Sequence, residues 1–168
     1  MRRLGIVGHR TLDSEAAAFI AAESAALLED QSSTSGDVVA ISALAEGADT
    51  LFAEAALELG VPLEIVRPFD RYLDDFVTTS SRRRYRRLVE AAHRETRLPF
   101  SVSSVVAYEA AMRWIARACD VLVAAWDGSP PRGRGGTAEA IVFAESIGRP
   151  VVHLDVVAHR VVVRGEAA

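Results

Sequence analysis

Five short apolar runs punctuate the chain: Leu4 to Val7, Val38 to Ile41, Leu63 to Val66, Val121 to Ala125 and Val151 to Leu154. Between most of them lie alanine-rich stretches of helical length, an alternation that predicts βαβ units around a parallel sheet. Three of the five are continuous apolar runs, as expected of strands covered by helices on both faces; Glu64 interrupts the third and His153 the fifth.

The first helix is predicted to start near Asp13 or Ser14, both good N-cap residues, and to place Phe19, Ile20, Leu27 and Leu28 on one side. Gln31 to Gly36, QSSTSG, reads as a polar loop. A second helix spans about Ala48 to Leu59 and stops at Gly60, with Pro62 beyond; a later one spans about Thr137 to Ile147 and stops at Gly148, with Pro150 beyond. A helix from about Val105 to Ala118 precedes the fourth strand, and HRVVVRGEAA is expected to add a short edge strand. Residues 69 to 104 break the rhythm. They show no buried strand and read as a helical insertion with flanking loops in a single domain covering 1–168.

With 168 residues, half of them hydrophobic, the chain is long enough to bury one sizeable core. Its net charge of -4 makes nucleic acid an unlikely general partner and argues against a membrane surface, so any polyanion site has to be local. All 19 basic residues are arginine. A P-loop lysine and lysine Schiff-base chemistry are therefore excluded. One cysteine, Cys119, permits no internal disulfide and fits a reducing cytoplasm; at a predicted helix end it reads as a small buried residue. No apolar run approaches the ~18 residues of a membrane span, and the opening MRRLGIVGHR does not fit a signal peptide.

In an open parallel sheet, ligands bind beyond the carboxyl ends of the strands. There this sequence carries Gly8-His9-Arg10, then Ser42 to Asp49 (SALAEGAD), then Asp127-Gly128 followed by Gly133-Arg134-Gly135-Gly136-Thr137. Glycines allow close backbone approach, amides at a helix start suit an anion, and Arg10 and Arg134 are candidates for bidentate phosphate contacts. Each motif also has a plainer explanation. The glycines form an ordinary loop with a glycine N-cap; GxGxxA over 133–138, with Asp155 as a ribose partner, is a weak dinucleotide fingerprint. His9 is a candidate general base, a phosphate donor or a residue bonded to backbone. Asp49 is a ribose or base ligand or a helix cap. His93, His153 and His159 are scattered, and no metal or cofactor is expected. The run Arg82 to Arg87 is either a solvated face paired with acids such as Asp74, Asp75 and Glu90, or a single-strand platform with Tyr85 stacking on bases.

SALAEGADTLFAEAALELGVPL resembles the SGLAxGID segment of the Smf/DprA proteins, and CDVLVAAWDGSPPRGRGGTAEA resembles the glycine-threonine loop of the LOG-like phosphoribohydrolases. LGIVGHR is similar to the start of many members of the same SLOG superfamily. The resemblance covers the first 68 residues and about 118 to 155. It implies a Rossmann-like fold, an open and mainly parallel sheet with helices on both faces, that binds a nucleotide or nucleotide-derived molecule. Carried over, Gly8, Gly47, Gly135, Gly136 and Thr137 line the pocket, with Arg10 and Asp127 as additions and His9, Ala45, Glu46, Asp49 and Arg134 around them. The LOG-like pattern places its acid three residues after the threonine; Ala140 stands there, and Glu139 is one residue, or about 100° of helix, early.

The expectation is a cytoplasmic binding module that senses or carries a nucleotide-derived small molecule and, as superfamily members often do, assembles as a homo-oligomer. The alternatives are an N-glycosidic hydrolase using Glu139 or Glu46 as its acid-base group, and a DprA-like single-stranded DNA binder.

Overall fold

The structure, a computed structural model, describes residues 1–130 and 135–165. Its strands are β1 (Arg2–Gly8), β2 (Val38–Ser42), β3 (Leu63–Arg67), β4 (Arg94–Arg97), β5 (Val121–Trp126), β6 (Val151–Asp155) and β7 (Arg160–Arg164). Its helices are α1 (Ser14–Ser35), α2 (Ala48–Glu58), α3 (Thr79–Ala91), α4 (Val105–Ala118) and α5 (Thr137–Ser146). The strands form one sheet in the order β4-β3-β2-β1-β5-β6-β7, parallel throughout except for the antiparallel pair β6 and β7.

Successive side chains of a strand point to opposite faces, and here that splits the interior into two cores. Leu4, Ile6, Ala40 and Leu63 pack with Ile20 and Leu28 of α1 and Phe52 of α2. On the other face, Val7, Val39, Ile41 and Leu122 pack with Ala111 and Ile115 of α4 and Ile141 of α5. Each fully buried Leu, Ile or Phe contributes about 1.5–3 kcal/mol relative to exposure. This is the α/β architecture, with helices on both faces, that the alternating pattern predicts.

Two segments depart from the sequence pattern. QSSTSG is not a loop: α1 continues to Ser35, because the hydroxyls of Ser32 and Thr34 donate back to the carbonyls of Leu28 (2.7 Å) and Asp30 (2.8 Å). The helix stops at Gly36, whose φ of 76° is open to glycine at little cost. Residues 69–104 hold a 3-10 turn at Tyr72–Asp75, helix α3 and the short strand β4, which extends the sheet beside β3. The segment is thus a crossover that adds an edge strand. β4 reads RETR and is exposed to intermediate in burial, so it carries no apolar signal.

Candidate functional site

β1 and β5 lie side by side, yet the chain leaves them in opposite directions, toward β2 and toward β6. Loops diverging at such a switch point open a crevice at the carboxyl ends of the strands. Here the crevice has a deep part of about 250 Å³ and an outer part of about 350 Å³, and Gly8, Arg10, Gly135, Gly136 and Thr137 line both. Ala45 and Asp49 line only the deep part, His9 and Asp127 only the outer part. Arg134 lies outside the described residues.

The glycines do different jobs. A Cβ on Gly8 would lie 2.5 Å from the Ala48 Cβ and 2.8 Å from the Ala125 Cβ, so Gly8 lets α2 close onto the end of β1. Gly47 has φ 88°, and a Cβ there would meet the carbonyl oxygens of His9 (2.4 Å) and Arg10 (2.5 Å). It is not among the cleft-lining residues; it braces two loops, and the Ala48 amide donates to the His9 carbonyl at 3.1 Å. Gly136 differs from both. Its φ of -92° and ψ of 171° suit any residue, and no described atom lies within 4 Å of an added Cβ. Among the described residues no side chain caps α5 there, so first-turn amides that lack intrahelical partners are available to a guest.

Neither nominated acid-base carboxylate faces the cleft. Glu139 turns back and accepts the Gly135 amide at 2.5 Å, with Arg113 at 3.8 Å, so it fastens the loop. Glu46 lines a separate depression with Thr50, Phe76 and Arg84. His9 Nε2 accepts the Asp127 amide at 3.1 Å and lies 3.3 Å from Asp127 Oδ1, which engages the lone pair a general base needs. The Ser129 hydroxyl and amide donate to Asp127 Oδ1 and hold its carboxyl down at about 2. Asp155 is no ribose partner: its carboxylate accepts the amides of Val157 and Ala158 and closes the turn into β7.

The carboxylate that does line the cleft is Asp49, 4% exposed in the first turn of α2. Burial pushes its carboxyl up to about 7, against the pull of hydrogen bonds from the backbone of Ala45 and Ala43 and of the charge on Arg10. Those amides sit in a strained turn. Leu44 is buried at φ 57°, a conformation rare for a bulky residue, and buried Ser42 holds it there: Ser42 Oγ accepts the Leu44 amide (3.0 Å) and donates to the Asp49 carbonyl (3.1 Å).

Opposite stand residues the sequence left unassigned. Tyr72, from the 3-10 turn, is 1% exposed and packs edge-on against Phe69, Phe76, Tyr85 and Tyr108. The Tyr108 hydroxyl donates to Asp75 Oδ2, and the Arg10 guanidinium lies 4.6 Å above the Tyr108 ring centroid. Met112 and Ile115 complete an apolar wall. The spacing 108, 111, 112, 115 is an apolar helix stripe headed by a tyrosine, the one trace of this wall that periodicity could have shown.

Tyr85 offers no base-stacking platform, being 5% exposed inside the aromatic cluster. Arg84 and Arg87 both pair with Glu54 of α2, and Arg82 Nε donates to the Phe76 carbonyl at 2.8 Å. Within the run Arg82 to Arg87, Arg83 and Arg86 are exposed, as is Arg87 despite its ion pair. Cys119 is buried, which raises its thiol to about 11.

No known family profile matches the chain, and neither does any curated protein. Among solved structures it is similar to DNA processing protein A (DprA) from Streptococcus pneumoniae, at 22% identity and a TM-score of 0.67, over 90% of this chain and 50% of that one. DprA from Helicobacter pylori, described for its single-stranded DNA binding mode, is 17% identical with a TM-score of 0.64, over 90% and 64%. The molybdenum cofactor carrier protein of Chlamydomonas reinhardtii is 15% identical with a TM-score of 0.57, over 90% and 74%. The chain thus spans half the length of one DprA and under two thirds of the other. At these identities the likeness shows the fold: the chain shares it with DprA and with molybdenum-cofactor carriers, in agreement with the SLOG resemblance. With DprA among these neighbours, the acidic net charge does not set nucleic acid aside. Among the described residues, no helix is long and apolar enough to cross a membrane.

Proposed function

We propose that the chain binds a phosphorylated, nucleotide-derived small molecule in the crevice between β1 and β5, as a carrier or sensor, with its phosphate at the start of α5. The carrying observation is Gly136. Neither its dihedral angles nor any described neighbour requires a missing side chain, so the open space in front of it is suited to something approaching from outside. Arg10, which lines both parts of the crevice with its guanidinium over the Tyr108 ring, supplies positive charge.

The binding role is favoured over hydrolysis because Glu139 and Glu46 are both turned away from the cleft. Incubation with nucleoside monophosphates should therefore release no free base. A second reading, single-stranded DNA, draws on the DprA neighbours; a phosphodiester would occupy the same crevice. Gly136→Val is the decisive variant. Its melting temperature should match the wild type, while the stabilisation by nucleoside monophosphates, about 2.7 kcal/mol at a hundredfold excess over Kd, should disappear. Undiminished stabilisation of that variant would remove the phosphate from this site.

A further inference from the structure

The deep part of the crevice has two chemical surfaces. Val7, Ala111, Met112 and Ile115 make apolar walls, whereas Asp49, Tyr72 and Arg10 gather polar groups on its lining. Apolar walls suit the faces of a flat ring better than a sugar, whose hydroxyls would lie unpaired against Met112 and Ile115. The polar groups then have to read the ring's edge.

In its ionised form, which prevails above about pH 7, Asp49 presents a carboxylate with about four lone-pair sites. Backbone donors from Ala43 and Ala45 satisfy part of that capacity. Arg10 bears on the carboxylate by its charge, but the two do not close an ion pair within 4 Å. Tyr72 supplies an independent sign. Its hydroxyl oxygen is buried and has no hydrogen-bond partner among the described residues, a state that is unfavourable until a partner arrives. Tyr72 lines the same part of the crevice as Asp49 and Arg10, and the charges of both act on its hydroxyl.

An acceptor with room for more bonds, beside a hydroxyl and a guanidinium, calls for an edge with two adjacent N–H donors next to a carbonyl. Adenine presents one amino donor beside a ring nitrogen whose lone pair would face the carboxylate. Guanine presents a ring N–H and an amino group together, flanked by an oxygen that can accept from Tyr72 or Arg10. We infer that the deep end of the crevice is a base-recognition subsite for a 2-amino-4-oxo-pyrimidine edge, read by Asp49, Tyr72 and Arg10. The inference rests on the phosphate site proposed above, since Gly8, Arg10, Gly135, Gly136 and Thr137 line both parts and let one ligand span them.

Calorimetric titration of the full chain with GMP, IMP, AMP and ribose 5-phosphate tests it. GMP should bind on the order of tenfold or more tighter than AMP, and tighter than IMP, which lacks the amino group. In Asp49→Asn an amide donor replaces one acceptor, so preference should pass from GMP to XMP, whose 2-oxo group accepts. Tyr72→Phe keeps the ring and removes the orphan hydroxyl; it should weaken GMP binding several-fold while its melting temperature holds or rises, which a loss of fold cannot imitate. A pterin phosphate carries the same edge. Titrated beside GMP it identifies which ring system is held, and tighter binding of either one than of AMP supports the subsite. Equal binding of GMP and AMP, or a GMP preference untouched by both substitutions, overturns the base subsite while ribose 5-phosphate binding leaves the phosphate site standing. If ribose 5-phosphate and every nucleotide fail to bind, the phosphate site falls, and the base subsite with it.

Discussion

Asp127, directly after β5, and Asp49, in the first turn of the helix that follows β2, have carboxyls shifted in opposite directions. Burial raises the Asp49 carboxyl to about 7, above the roughly 3.9 of an unfolded chain. The folded state therefore keeps its proton longer, so this group's stabilisation is complete below about pH 4 and is lost as pH rises to about 7. Asp49→Asn should remove that fall, so the difference between variant and wild-type melting temperatures should grow from pH 4 to pH 7 in ligand-free protein. Asp127 runs the other way. Ser129 lowers its carboxyl to about 2, so its contribution is present above about pH 4 and is lost as pH drops toward 2. Ser129→Ala should reduce stability at pH 6 by no more than about 2 kcal/mol and leave little difference near pH 2, measured by urea unfolding at both pH values.

Among the elements, the contact of α2 with the end of β1 is a tight constraint on the crevice. Gly8→Val forces a side chain into Ala48 and Ala125 and should destabilise by about 1–3 kcal/mol or more, in contrast to Gly136→Val, where nothing described stands in the way. A denaturant midpoint that barely moves in Gly8→Val would show that α2 can retreat. The same comparison marks what sequence could disclose. Apolar runs announced β1, β2 and β5, and β6 apart from His153, since burial on both faces leaves little room for charge. β4 escaped because an edge strand of four residues, RETR, needs no apolar side chains. The end of α1 escaped because serine and threonine, ordinary loop residues, satisfied their hydroxyls on the helix's own carbonyls. Loop position nominated Gly8, Arg10, Asp49, Gly136 and Thr137, all of which line the crevice. It could not say that Glu139 would bend back to Gly135, because a carboxylate's direction depends on donors brought near only by the fold. Tyr72 lay in a segment without periodicity, and its place came from the aromatic cluster around it.

For the whole molecule, the distribution of charge matters more than its sum. Glu54 ties α3 to α2 through Arg84 and Arg87, so much of the arginine run is neutralised locally. Any single-stranded oligonucleotide that binds should do so through the crevice, with one or two phosphates held. Its affinity should then fall with salt at a logarithmic slope of only about -0.7 to -1.4. Replacing Arg83 and Arg86 together by glutamate should leave that slope unchanged in fluorescence anisotropy; a marked flattening would move the contact to α3.

The two outermost strands, β4 and β7, each begin and end in arginine. A second molecule that tried to lengthen the sheet by antiparallel pairing of like strands would set the first residue of one against the last of the other, cation facing cation along an open row of backbone groups. That arrangement discourages fibre-like stacking at both ends of the sheet. With lengthening of the sheet discouraged at both ends, the mouth of the crevice is spared obstruction by growth along it.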